Sequence, residues 1–170
     1  DAWAMEHGCD GWSWKDMRSY FVKSEGNARL GGENHGVDGP LGVSDLPSPN
    51  RMSLAYVQGC MDFGMPFNAD FNSGKQEGAG LYQTTTRDGR RCSAAVAYLK
   101  PAMKRANLTV RTDLFVTRII VEKGRATAIE VVEKGSTVRI DAACEVIVAA
   151  GAIGSPKLLM LSGIGPSRHL

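Results

Sequence analysis

Small residues at the end of an apolar run are the part of this sequence best suited to hold a cofactor. Residues 146–150 form a short, continuously apolar run, which is typical of a strand buried on both faces of a sheet. Ala150, Gly151 and Ala152 then carry almost no side chain, so the backbone can approach a bound group closely. Nucleotides often bind where a strand ends in such a turn, although packing alone gives the same pattern. The turn is therefore a candidate cofactor site.

The residues after this turn have the pattern of a short helix. Ser155 is a favourable N-cap, and Pro156 follows at the first helical position, where its missing N–H has no hydrogen bond to lose. Gly163 suits the C-terminal end of such a helix. We therefore expect a strand, a tight turn and a short helix in succession. The apolar side of the helix is formed by Leu158, Leu159 and Leu161.

The string GAIGSPKLLMLSGIG at 151–165 resembles the second signature of the glucose–methanol–choline (GMC) oxidoreductases, a family of flavoenzymes that oxidise alcohols. This resemblance implies FAD as the cofactor. It also implies that the backbone of Ala150 and Gly151 passes the ribose and diphosphate of the flavin nucleotide.

A second segment, FVTRI at 115–119, matches the family stretch whose valine holds the edge of the adenine ring. The resemblance implies that Val116 binds adenine through its backbone N–H and C=O. An exposed strand backbone offers a donor and an acceptor side by side, as a base-pairing edge does. The alternative is an ordinary strand valine, because the side chain itself carries no information about a ligand.

Alternating patterns in the last third of the chain predict a β-meander, which with the helices gives a mixed α/β (α+β) fold. The resemblance implies an incomplete FAD-binding domain of the two-dinucleotide type, which contains the meander, and part of a substrate-binding domain with an antiparallel sheet. The meander strands are expected at 108–112, 115–122, 126–133 and 137–141, with turns at Lys123-Gly124 and Gly135-Ser136. The implied division is 1–36 (a helical segment after the first signature), 37–106 (substrate-binding) and 107–170 (FAD-binding).

The first hundred residues contain three helical patterns. Ser13 with Asp16 three residues later is a variant capping box, and apolar residues at helical spacing follow it. A second helix is expected at 51–63, and a third begins at Ser93 and ends at Pro101. Short strands are expected at 41–44 and 81–84, with a turn at Asp88-Gly89.

The composition argues against several classes of function. The net charge is only +2 with 22% charged residues, which implies no overall preference for nucleic acid or anionic lipid. Residues 87–118 hold a basic cluster, but without a recognition motif or interleaved aromatic residues, so nucleic-acid binding is not expected. No apolar run is as long as a membrane span. No CxxC pair or metal-ligand spacing is formed by Cys9, Cys60, Cys92, Cys144, His7, His35 and His169.

The resemblance implies an FAD-dependent enzyme that oxidises the CH–OH group of an alcohol by hydride transfer to the flavin. A choline-like or aliphatic primary alcohol is expected, because 88–99 and 113–119 lean toward the bacterial choline dehydrogenase and quinone-linked alcohol dehydrogenase branch. The electrons would pass to quinone or oxygen rather than to NAD. In the family, a histidine paired with a second histidine or an asparagine takes the hydroxyl proton. Those residues are expected beyond Leu170, so no catalytic residue is assigned here.

Two features suggest a piece of a longer protein. The chain begins with Asp1 rather than Met, and it stops just after 165–167 has signalled a new helix. The resemblance implies a preceding glycine-rich Rossmann unit, so residues 146–149 should be unusually exposed and the chain alone should not oxidise an alcohol. Two alternatives stay open: a lyase like the hydroxynitrile lyases that share this fold, and a non-catalytic fragment or interaction module.

Overall fold

The computed structural model describes residues 1–168 and 170, and His169 lies outside the described residues. The chain forms two compact units, Asp1–Leu108 and Thr109–Leu170. Both contain helices and strands, which confirms the expected mixed α/β class. The proposed division of the chain at residues 36 and 106 stays a prediction.

The first unit contains short helices and two small sheets. Strands β1 (Glu25–Asn27) and β2 (Leu41–Val43) pair in parallel, with Glu25 opposite Leu41. Strands β3 (Thr86–Arg87) and β4 (Arg90–Arg91) form an antiparallel hairpin. A π-helix, Ala95–Leu99, continues directly into the short helix α4. The elements are α1 (Ala2–Met5), α2 (Trp14–Ser24), β1 (Glu25–Asn27), β2 (Leu41–Val43), α3 (Arg51–Asp62), β3 (Thr86–Arg87), β4 (Arg90–Arg91) and α4 (Lys100–Ala102).

Side-chain caps begin the two longer helices of this unit. The Ser13 hydroxyl accepts the Asp16 N–H at 3.3 Å, and the Asp16 carboxylate accepts the Ser13 N–H at 3.3 Å, so the predicted capping box is confirmed. The Asn50 side chain caps α3 by accepting the Met52 N–H at 2.8 Å. Both helices therefore begin where their local sequence predicts.

Two local predictions for the first unit were wrong. The third helix does not end at Pro101, because the π-helix runs on into α4 and the chain stays helical through Ala102. Residues 81–84 do not form a strand. Thr84 makes only an isolated bridge to Ser44, with paired backbone hydrogen bonds of 2.9 and 3.0 Å, and the neighbouring residues have no strand partner.

The second unit is a three-stranded antiparallel meander followed by one helix. Strands β5 (Phe115–Glu122), β6 (Arg125–Glu133) and β7 (Ser136–Asp141) pair in that order, so three of the four predicted strands are confirmed. Both turns place two residues at positive φ, 52° and 78° at Lys123-Gly124 and 48° and 82° at Lys134-Gly135. This is the type I′ geometry that fits strand twist. The second turn lies one residue earlier than predicted.

Two predicted strands of the second unit are absent from the described structure. Residues 108–112 and 145–149 pair with no other strand, although their apolar patterns predict one. An alternating or apolar pattern marks a segment that can form a strand, but a strand also needs a partner edge for its backbone. Ile147 is 80% exposed, which confirms the expected exposure of this apolar run.

Helix α5, Gly151–Leu161, begins earlier than predicted and ends as predicted. Ala150 rather than Ser155 is its N-cap residue, and Pro156 lies inside the helix. The reason is Gly151, whose φ of +81° turns the chain into the helix five residues sooner. At the other end Gly163, at φ +76°, donates to the Met160 carbonyl while Ile164 donates to Leu159, the pairing of a Schellman motif.

Candidate functional site

Val116 lies on the outer strand of the meander, where half of the backbone groups have no partner strand. It stands opposite Val131 of β6, and its side chain is 36% exposed. The register shifts between Val116 and Arg118, so Thr117 is an extra residue that forms a β-bulge. A bulge of this kind changes which backbone groups face the partner strand.

The backbone of β5 around the bulge can be oriented from one hydrogen bond. The Ile119 N–H donates to the hydroxyl of Ser162 at 2.7 Å, so it points away from β6. Along a strand of an antiparallel ladder, the backbone N–H and C=O of successive paired residues point alternately toward the partner strand and away from it. The extra Thr117 is not counted in this alternation. Val116 is thus two paired positions from Ile119, and its N–H and C=O also face the free edge of the sheet. That edge carries a donor and an acceptor side by side.

Ala150 and Gly151 lie where the chain enters α5. The Ala150 N–H donates to the Ser155 hydroxyl at 3.0 Å, so this N–H is already used within the turn. A Cβ built on Gly151 would have no atom within 4 Å, but the φ of +81° is strained for any residue with a side chain. Gly151 is therefore required by backbone conformation, whereas the sequence suggested a requirement for space.

All three residues predicted to contact the cofactor belong to the second unit. Helix α5 packs against β5, so the turn at Ala150 and Gly151 and the free edge at Val116 belong to adjoining elements. Ile119, Ala128 and Val131 are buried and form the apolar core of the meander. The roles of Val116, Ala150 and Gly151 in binding stay predictions.

The first unit contains a buried ionisable cluster that the sequence did not reveal. His35 is 6% exposed, and its ring Nδ1 lies 3.0 Å from Glu25 Oε2 while its Nε2 lies 3.0 Å from Asp70 Oδ2. Burial acts to lower the pKa of His35, but the hydrogen bonds and charges of the two carboxylates outweigh it and raise the pKa above its ordinary value. The two carboxylates, one at each ring nitrogen, therefore favour the protonated imidazole.

This cluster lies beside a cavity of the first unit that has a volume of about 500 Å³. Trp14, Phe21 and Phe71 supply its apolar walls, and Glu25 and His35 supply polar groups. In the sequence His35 forms no metal-ligand spacing, and its partners Glu25 and Asp70 lie 10 and 35 residues away. No short-range spacing connects them, so no sequence signal could have found the cluster.

Neither a metal site nor a membrane span is found in the part of the chain that the structure describes. No group of three or more His, Cys, Asp or Glu side chains is arranged to hold a metal ion there. No described helix is long and apolar enough to cross a bilayer.

The chain is similar to known proteins over its whole length. The family model described as "GMC oxidoreductase" matches residues 1–170. An oxygen-dependent choline dehydrogenase of Rhizobium rhizogenes is 44% identical over 167 residues, which are 97% of this chain and 30% of the relative. An alcohol dehydrogenase [acceptor] of Pseudomonas putida is 39% identical over 172 residues, 99% of this chain and 31% of the relative.

A solved structure is similar as well. The crystal structure of pyridoxine 4-oxidase from Mesorbium loti superposes with a TM-score of 0.85 at 34% identity, over 95% of this chain and 32% of that one. The chain thus spans about a third of the length of the relatives it matches. The match over residues 1–170, together with the signature that leads into α5, shows that the chain belongs to the GMC oxidoreductase family.

Proposed function

We propose that this chain is part of an FAD-dependent oxidoreductase that oxidises the CH–OH group of a small alcohol. A choline-like or aliphatic primary alcohol is the favoured substrate class, because the similar proteins include a choline dehydrogenase and an alcohol dehydrogenase. The electrons pass on to quinone or oxygen and not to NAD. The observation that carries the proposal is the family match along the whole chain.

The flavin supplies the chemistry of hydride acceptance when it is bound. The residues of this chain supply binding. Val116 offers its backbone N–H and C=O to the adenine edge, and the free edge of β5 supports this role because those groups have no strand partner. If β5 were a central strand, the N–H and C=O of Val116 would be bonded to a neighbouring strand and could not bind a ligand.

The turn at Ala150 and Gly151 contributes a close backbone approach to the nucleotide. The space around Gly151 is open, since a Cβ there would meet no atom within 4 Å. The Ala150 N–H is occupied by Ser155, so this turn contributes shape and not an anion-binding N–H from Ala150. None of the described residues is assigned the role of proton acceptor.

The test uses the full-length protein that contains this chain. Purified protein should carry flavin absorbance in the visible range, and choline or a primary alcohol should drive reduction of an artificial electron acceptor. Measuring oxygen consumption beside quinone reduction identifies the natural class of acceptor. The 170-residue chain alone, supplied with FAD, should show neither activity.

Two results would contradict the proposal. A full-length protein without flavin, even after refolding with FAD, would support a non-catalytic role. Cleavage of a hydroxynitrile to aldehyde and cyanide, without any reduction of an acceptor, would support the lyase alternative. The matched variant Val116→Ala should bind FAD and reduce the acceptor as the parent protein does, because only the backbone of this residue is proposed to bind the adenine ring.

A further inference from the structure

The first unit contains a second cleft, which the β3–β4 hairpin and the π-helix enclose. Its volume is about 770 Å³, within the range of small-molecule sites. Arg87, Arg90 and Arg91 lie on the hairpin side, and Val96 and Pro101 lie on the helical side. We infer that this cleft binds a phosphate group carried by a ligand that is not the flavin cofactor.

The arginines are arranged in a way that favours a bound anion. Arg87 and Arg90 stand directly opposite each other across the hairpin, and like charges in that position destabilise a sheet. Neither they nor Arg91 form an ion pair with a carboxylate among the described residues. Five other arginines do form such pairs: Arg18, Arg29, Arg111, Arg118 and Arg139.

Arg87 is held firmly in the cleft wall. Its Nη2 donates to the carbonyls of Gly39 and Pro40 at 3.3 and 3.2 Å, and neutral carbonyls leave its charge uncompensated. Its stem packs so closely over Gly42 that a Cβ on that glycine would lie 2.8 Å from the Arg87 Cβ. The guanidinium is thus preorganised, which lowers the entropy lost when a ligand binds.

The base of the cleft is rigid as well. Cys92 is 2% exposed, and its sulfur accepts the Gly42 N–H at 3.2 Å, which ties the end of the hairpin to β2. The π-helix that follows is a rare geometry, and such turns are frequent at functional sites. The Ser93 hydroxyl caps it by accepting the Val96 N–H at 3.3 Å. The walls are therefore formed before any ligand arrives.

The charge of the cleft selects the ligand class. Three arginines and the single carboxylate of Asp88 leave a formal charge of +2 among its lining residues. A phosphate monoester carries a charge of about −1.5 to −2 at neutral pH, so it balances this site better than a carboxylate does. Guanidinium groups also match the oxygens of phosphate in pairs of hydrogen bonds.

The test measures binding of inorganic phosphate and diphosphate to the full-length protein saturated with FAD, by calorimetry at constant ionic strength. Arg90→Gln is the test variant, because the Arg90 side chain makes no hydrogen bond with any other described residue. Its affinity for phosphate should fall at least about tenfold. Arg51→Gln, an exposed arginine outside the cleft, is the matched control and should bind as the parent does.

A second arm distinguishes the source of the phosphate. Sedimentation with vesicles of phosphatidic acid in phosphatidylcholine measures binding to a lipid headgroup, and calorimetry with the soluble anions measures binding of a soluble ligand. Binding in either experiment that requires Arg90 supports the inference. Arg90→Gln should also melt at the same or a higher temperature without phosphate, since a repulsion is removed. Absence of saturable binding in both arms, or equal loss in Arg51→Gln, overturns it.

Discussion

The Ser162 hydroxyl links the end of helix α5 to strand β5 by accepting the Ile119 N–H at 2.7 Å. The same hydroxyl donates to the Leu158 carbonyl at 2.6 Å, so one side chain satisfies groups of both elements. Ile119 is buried, with 5% of its surface exposed. The contact therefore provides the only described partner of a buried N–H on the outer side of the meander.

Replacing Ser162 with Ala should destabilise the second unit by about 1–3 kcal/mol, because the Ile119 N–H loses its partner while it stays buried. Hydrogen exchange at the Ile119 amide is the direct measurement, and its protection should fall. Ser162→Thr keeps the hydroxyl and should restore protection. Ser136→Ala, at the exposed start of β7, is the matched control. Unchanged exchange in Ser162→Ala would show that the link does not hold the two elements together.

Stability of the first unit should depend on the protonation of His35. The folded-state pKa of His35 lies above its ordinary value of 6.5, so folding favours the protonated ring. The stabilisation that His35 contributes to the folded state is complete below a pH of about 6.5 and is lost as the pH rises through the folded-state pKa. Denaturation followed from about pH 6 to about pH 9 should show this decrease.

A His35→Gln variant should be less stable at the acidic end of that range and should lack this part of the pH dependence. The cause is that Glu25 and Asp70 keep their positions but lose the charge between them. His7→Gln is the control, because His7 is exposed and makes no side-chain hydrogen bond among the described residues. If His35→Gln kept the pH dependence of its parent, a different group would be responsible.

Gly151 and Gly135 allow strain to be separated from cofactor binding. Their φ values are +81° and +82°, and neither would bring a Cβ within 4 Å of another atom. Gly151→Val and Gly135→Val should each cost about 1–2 kcal/mol from backbone strain alone. Only Gly151→Val should also lower the flavin content of the full-length protein, as measured by absorbance. Equal flavin content in the two variants would remove Gly151 from the cofactor site.

The proposed adenine contact at Val116 depends on the backbone, so proline is the informative substitution. Val116→Pro removes the N–H that faces the free edge, and an edge position tolerates proline because no ladder hydrogen bond is lost. Flavin affinity should fall about tenfold or more for the loss of one buried hydrogen bond, while circular dichroism stays unchanged. Val116→Ala keeps the N–H and should bind flavin normally. A Val116→Pro protein that folds and binds FAD as tightly as its parent would contradict the assignment.

Features that depend only on neighbouring residues could be predicted from the sequence. The capping box at Ser13, the type I′ turn at Lys123-Gly124 and the stop at Gly163 each need hydrogen bonds or φ values within a few residues, and each formed as predicted. The family was also readable, because the string at 151–165 is local. These signals require no knowledge of distant contacts.

Which segments pair in a sheet and which side chains are in contact depends on the tertiary structure. Residues 108–112 and 145–149 have strand-like patterns, but pairing requires a second edge, and the described chain gives them none. The free edge at Val116 arises from the order of three strands and one bulge. His35 is buried between two carboxylates only because folding brought Glu25 and Asp70 to its two ring nitrogens, and a buried polar group requires such partners.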